Sequence, residues 1–141
     1  MRFQTVRTPL TRVRLEDDFY RITTASVPEA WVASIGSTGL INPPICVPWG
    51  SEYQIVSGFR RIEAIRRLGR RQVLVRIPDG DADPLAAARI AIADNSGQRA
   101  LNPVELSRCF NLLTTTGGVP LQAIARPLGL PSNPDVIRRL S

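Results

Sequence analysis

Strand-like patterning in this chain stops at one place, and that break governs what it can fold into. Short β-rich runs, Ile45-Cys46-Val47, Tyr53-Gln54-Ile55-Val56 and residues 72–77, all lie before the polar connection Asp79-Gly80-Asp81-Ala82-Asp83-Pro84. Beyond it the β signals cease and apolar residues recur at helical spacing. The expected architecture is α+β: a small mixed-sheet domain over residues 1–80, then an all-helical segment over residues 85–141.

The first half predicts an opening strand between residues 5 and 22, where Val13 and Leu15 alternate with Arg12, Arg14 and Glu16. Ser26 reads as a helix cap, with Pro28 and Glu29 in the first turn and Trp31, Val32 and Ile35 forming a stripe that stops at Gly36. Asn42-Pro43-Pro44 turns the chain into the first β-rich run, and a helix over residues 60–68 ends at Gly69. In the second half, residues 85–93 are strongly helical. Asn102-Pro103-Val104-Glu105 combines a cap, a first-turn proline and an acidic third position. Leu106, Cys109, Phe110 and Leu113 follow at i, i+3, i+4, i+7 spacing until residues 114–118 break the run. Leu121, Ile124, Ala125 and Leu128 then repeat that spacing, and Asn133-Pro134-Asp135 starts one more helix. Internal repeats and low-complexity segments are absent from the sequence.

Composition narrows the chemistry. The two cysteines, Cys46 and Cys109, form no CxxC pattern, and histidine is absent, so thiolate–metal and cysteine–histidine sites are excluded. Both cysteines read as small buried apolar residues. No apolar stretch approaches the roughly 20 residues of a membrane span, and Arg2, Arg7, Arg12 and Arg14 interrupt any signal-peptide core, so a cytoplasmic protein is expected. The net charge is +6, and all 18 basic residues are arginine. Genomic base composition and selection for phosphate contacts both account for that bias; the planar guanidinium favours a polyanionic partner.

The most informative local pattern is Ile55-Val56-Ser57-Gly58-Phe59-Arg60-Arg61, a strand-turn-helix. The entrance of a helix carries roughly half a positive charge and usually attracts acidic residues. Two arginines there cost stability unless an anion joins them. Gly58 would let a phosphate approach the backbone. The residues alone leave a second reading open, in which Arg60 and Arg61 are solvated and Glu63 compensates them through local pairs that also involve Arg67.

Together, Leu40-Ile41-Asn42-Pro43-Pro44-Ile45-Cys46-Val47 and Tyr53-Gln54-Ile55-Val56-Ser57-Gly58-Phe59-Arg60-Arg61-Ile62-Glu63-Ala64 resemble the ParB/sulfiredoxin-type domain, whose usual text is a GL-x-x-P turn, a strand and Y-x-(I/V)-(I/V)-x-G-E-R-R. A second stretch, Asp94-Asn95-Ser96-Gly97-Gln98-Arg99-Ala100-Leu101-Asn102-Pro103-Val104-Glu105, is similar to the family's E-N-x-Q-R-x-x-L-N-P-x-E. The resemblance covers residues 5 to 141. It implies that CTP or another nucleoside triphosphate is held by Ser57, Gly58, Phe59, Arg60, Arg61 and Asn95, with Arg21 as a looser candidate, and that Asp94 and Asn95 serve Mg²⁺. Phe59 stands where ParB proteins carry glutamate, which puts nucleotide hydrolysis in question, and where sulfiredoxins carry their catalytic cysteine, which excludes that reductase chemistry.

Residues 121–141 are expected to form the start of a helix-turn-helix, with Arg126, Asn133, Arg138 and Arg139 as DNA contacts; an ordinary helical hairpin is the alternative, because Pro127 shortens the first helix. The resemblance implies a nucleotide-responsive DNA-binding protein of plasmid or chromosome partition or of transcriptional regulation, associated with nucleoid or plasmid and homodimeric at full length, of which this chain would be a fragment. Two competing readings are an enzyme, either a nuclease or a phosphoryl-transfer enzyme, whose nearby acids would be Asp94 and Glu63, and a DNA-binding adaptor with a decayed nucleotide pocket.

Overall fold

A computed structural model describes residues 2–39, 42–97 and 99–117. Two compact units emerge, one formed by Met1–Phe19 with Ala25–Ala82 and the other by Tyr20–Thr24 with Asp83–Ser141. The described part of the chain is α+β, with four strands in one mixed sheet and four α-helices.

In the first unit, strand β1 (Phe3–Pro9) leads through a single 3-10 turn (Leu10–Arg12) to helix α1 (Glu29–Thr38), strands β2 (Ile45–Trp49) and β3 (Glu52–Ser57), helix α2 (Phe59–Arg67) and strand β4 (Gln72–Pro78). The sheet order is β1-β4-β2-β3. Strand β4 is therefore internal, antiparallel to β1 from Phe3↔Pro78 to Pro9↔Gln72 and parallel to β2 at Ile45↔Arg76. Period-two alternation puts Val73 and Val75 inside and leaves Leu74 exposed. Helices α1 and α2 supply Val32, Ile35, Phe59, Ile62 and Ile65 to the same core, where Cys46 and Ile55 also lie. Each such side chain stabilises the unit by roughly 1.5–3 kcal/mol through lost contact with water.

Three boundaries differ from the sequence expectation. The opening strand ends at Pro9, which has no N–H to continue a ladder, and the alternating residues 12–16 form a turn pinned to the sheet edge by Arg14 N–H donating to the Tyr53 carbonyl (2.9 Å). Helix α1 is capped at Pro28 without a side-chain bond, so Ser26 is not its cap, and the helix passes through Gly36 to Thr38. Gly36 is tolerated because its bare Cα meets Leu68; an added Cβ would stand 3.0 Å from Leu68 Cδ2.

The second unit holds helices α3 (Pro84–Ser96) and α4 (Pro103–Gly117). Asp83 caps α3 by accepting from Ala86 N–H at 2.7 Å, with proline in the first turn. A narrow face of Ala87, Ala88 and Ala91 is buried, as are Cys109, Phe110, Leu112 and Leu113 of α4. Gly117 stands against Leu85, where a Cβ would come within 2.8 Å, so the end of α4 lies over the start of α3 and the pair is antiparallel. Residues 114–117, expected to break α4, remain helical; Thr114 and Thr116 satisfy their hydroxyls on the carbonyls of Phe110 (2.9 Å) and Leu112 (2.6 Å). The segment Tyr20–Thr24 belongs to this unit and not to the α+β unit where the sequence placed it.

Candidate functional site

Strand β3 delivers Ser57, buried, to a turn in which Gly58 has φ 94° and ψ 28°. That left-handed conformation costs other residues roughly 1–2 kcal/mol. The space beside Gly58 is taken as well: an added Cβ would lie 2.7 Å from Pro44 Cβ and 3.4 Å from Arg61 Nη1. The glycine is thus required by Pro44 and by its left-handed backbone.

From Gly58, whose carbonyl accepts from Ile62 N–H at 3.1 Å, helix α2 begins without an acidic residue in its first turn. Glu63 offers no relief there. Its carboxylate is spent on Arg66 (2.7 Å) and Arg67 (3.2 Å) one turn further on, and the bonds from Arg66 are the main cause that holds its pKa below the ordinary carboxylate value. Arg67 also donates to the Val27 carbonyl at 2.9 Å, anchoring α2 to the approach of α1.

The two first-turn arginines are both half-buried and have different surroundings. Arg60 lies 4.9 Å over the Trp31 ring and donates through Nε to the Ser26 carbonyl at 3.1 Å. Arg61 instead faces a cavity of about 190 Å³ shared with Trp31, Ser34, Thr38 and Asn42. That volume is below the roughly 300–1,000 Å³ of whole-ligand clefts and suits a part of a ligand. Within that cavity the planar donor fork of Arg61 stands with hydroxyl and amide groups, a lining suited to an anion.

Other predicted residues are placed as follows. Phe59 is 9% exposed and packs in the core, so at that position only its backbone faces the turn. Asp94 and Asn95 are half-buried in the last turn of α3, where Asn95 Nδ2 donates to the Ala91 carbonyl at 2.6 Å. Among the described residues no three acidic or thiol groups converge as a metal cage would require. Arg21 is exposed in the Tyr20–Thr24 segment and donates to the Thr23 carbonyl at 3.4 Å. Structure therefore gathers Ser57, Gly58, Arg60 and Arg61 in the first unit, and Arg21, Asp94 and Asn95 in the second. Arg126, Asn133, Arg138 and Arg139, with the expected helix-turn-helix, lie outside the described residues.

Sequence reasoning missed a charged cluster inside the second motif. Glu105 is fully buried, and its carboxylate accepts from both terminal nitrogens of Arg99 (2.8 and 2.5 Å), from Asn102 N–H (3.1 Å) and from Thr24 N–H (3.0 Å). Asn102 Oδ1 accepts in return from Glu105 N–H at 2.9 Å, closing a reciprocal cap. The Arg99 bonds, followed by those two backbone donors, draw the Glu105 pKa down to about 2. Arg108 adds bonds to the carbonyls of Ile22 (3.2 Å) and Thr23 (3.0 Å), so the Tyr20–Thr24 segment is stitched to α4. The capping box was readable in Asn102 and Glu105. The partnership of Arg99 was not, since i, i+6 spacing aligns no two side chains on a regular helix. Both cysteines are buried, and desolvation pushes their thiols up to about 12, which keeps them neutral.

Comparison with known proteins bears on the family and the fold. The ParB N-terminal domain model matches residues 20–96. A probable chromosome-partitioning protein ParB of Campylobacter jejuni is 32% identical over 77 residues, 55% of this chain and 27% of that protein. Its counterpart in Chlamydia trachomatis is 31% identical over 103 residues, 70% of this chain and 36% of that protein. The chain thus spans about a third of the length of the curated relatives it matches. Among solved structures, a Pnob8-like ParB-N domain superposes with a TM-score of 0.60 at 18% identity, covering 90% of this chain and 46% of that one. C-terminally truncated ParB from Caulobacter crescentus complexed to the centromeric parS site superposes with a TM-score of 0.54 at 21% identity, covering 96% and 69%. The same Caulobacter protein complexed with CTP-gamma-S gives 0.50 at 23% identity, covering 92% and 73%. With the family model matching over half of its length, and with the fold shared, the chain belongs to the ParB N-terminal domain family.

Proposed function

We propose that this chain is the nucleotide-responsive part of a ParB-like DNA-binding protein of the cytoplasm, acting in plasmid or chromosome partition or in transcriptional regulation. The observation that carries the reading is the acid-free first turn of α2, where Arg61 faces a cavity while Glu63 is committed elsewhere. Backbone N–H groups and Arg61 would hold the phosphates of CTP, with Arg60 keeping the turn in place through Trp31. Asp94 and Asn95 are the proposed Mg²⁺ side chains; Mg²⁺ commonly takes only one or two carboxylates and completes its shell with phosphate and water. DNA contact is assigned to residues 121–141, and a homodimer to the full-length protein. The CTP analogue and the parS site named for the Caulobacter structures support nucleotide and DNA as ligands by kinship.

The test is retention of radiolabelled CTP in Mg²⁺ by the intact chain and by Arg61→Ala. Saturable retention by the parent, reduced tenfold or more in the variant, supports the site; negligible and equal retention removes it. Burial of Phe59 favours binding without turnover, because that position lacks the family's carboxylate. Phosphate release that disappears in Asp94→Ala would instead favour an enzyme. Salt-sensitive DNA binding that ignores nucleotide would favour the adaptor with a decayed pocket.

A further inference from the structure

A second concave surface lies at the opposite chemical extreme. The turn that follows β1 and the tip of the β2–β3 hairpin border a cleft of about 590 Å³ whose lining includes Arg14, Leu15, Glu16, Asp17, Asp18, Phe19 and Glu52. Four carboxylates and one arginine thus face one cleft in a chain of net charge +6. Leu15, Phe19 and the neighbouring Trp49 are 39%, 45% and 49% exposed, and they are three of the five large hydrophobic side chains left exposed among the described residues. Exposed apolar groups gathered within a polar rim mark interaction surfaces, whereas scattered ones do not.

The cleft is built in advance. Asp17 accepts from Phe19 N–H (3.1 Å), from Arg14 Nε (3.1 Å) and from Gln54 Nε2 (3.2 Å), which fixes the turn against β3. Arg14 extends over the Trp49 ring at 4.8 Å and reaches Glu52 at 3.5 Å. Asp17 and Glu52 are therefore both engaged by Arg14, while Glu16 and Asp18 remain exposed for a partner. The carboxylates do not converge on a point, since no group of three fit for a metal ion occurs among the described residues. Their spread suits several separated positive charges, and their sign excludes nucleic acid and nucleotide as occupants.

We infer that this cleft docks a cationic, amphipathic segment of a partner protein, with arginine or lysine side chains on Glu16 and Asp18 and apolar anchors on Leu15 and Phe19. Charge complementarity selects the place, because Glu16 and Asp18 stand exposed beside apolar anchors in a chain of net charge +6. The inference is independent of the nucleotide reading.

A fluorescein-labelled peptide of alternating arginine and leucine, titrated against the intact chain by anisotropy, tests it. Saturable binding is expected, weakened at least tenfold both by the double variant Glu16→Lys, Asp18→Lys and by Phe19→Ala. All three positions are exposed, and circular dichroism of each variant verifies its fold. A peptide of arginine alone should bind at least tenfold more weakly, since it lacks the anchors. Equal binding to the parent and both variants overturns the proposal, as does an arginine-only peptide that binds as well. Self-association that the double variant abolishes, without peptide binding, also overturns it and assigns the cleft to a second copy of the chain.

Discussion

Two helices in this molecule begin in opposite ways. At the entrance of α4, Glu105 lies within the first turn, closes a reciprocal cap with Asn102 and neutralises Arg99, so charge and hydrogen bonds are satisfied from within. At the entrance of α2, glycine replaces the capping side chain and two arginines replace the acid. The contrast teaches how two helix starts that both contain arginine differ: one places a carboxylate in its own first turn and the other does not.

The comparison breaks hardest at α4. Arg99→Ala leaves a fully buried carboxylate with only two backbone donors, and the urea midpoint should fall further than for any other change named here. An unchanged midpoint would mean that the pair is dispensable. At α2 the largest effect should come from Gly58→Ala, which places a methyl group in a left-handed turn and against Pro44; we expect about 2–4 kcal/mol lost, together with weakened CTP retention.

Acid distinguishes the two entrances next. The folded pKa of Glu105, about 2, lies below its ordinary value of 4.5, so its contribution is complete above that value and is lost as pH falls toward 2. Unfolding midpoints measured across this window should decline in the parent, and Glu105→Gln should remove much of the slope. A parent and variant with parallel profiles would show that other carboxylates dominate.

Smaller effects sharpen the division of labour at α2. Arg61→Ala should cut CTP retention tenfold while circular dichroism stays that of the parent. Trp31→Leu should cost up to about 1 kcal/mol through the lost ring contact of Arg60 and should reduce retention less than Arg61→Ala does. The reverse ranking would transfer the phosphate role to Arg60.

Much of this was legible in the sequence, for identifiable reasons. The strands from Ile45 onward and helix α2 declare themselves by alternation, by helical spacing and by Gly69, because those signals are local. The acid-free turn at Arg60 and Arg61 is equally local. What could not be read depends on distant partners: Trp31 under Arg60, Pro44 beside Gly58, and Leu68 accommodating Gly36 inside α1. The opening strand was drawn too long for the same reason. Alternation at Val13 and Leu15 has the right period, yet the Asp17 bonds fold that stretch into a turn and leave Leu15 exposed. Phe59 reads in sequence as a departure from a binding motif and proves to be a core residue.

The internal position of β4 has a consequence for the birth of the protein. Phe3 pairs with Pro78, so β1, made before the rest of the sheet, waits for its last strand before it gains a neighbour. Until then that segment, its backbone groups bonded only to water, is exposed to other nascent chains. Once both strands are present, the closing pair joins the two ends of the α+β unit, and removal of residues 2–9 would bare a long flank of β4 to intermolecular pairing.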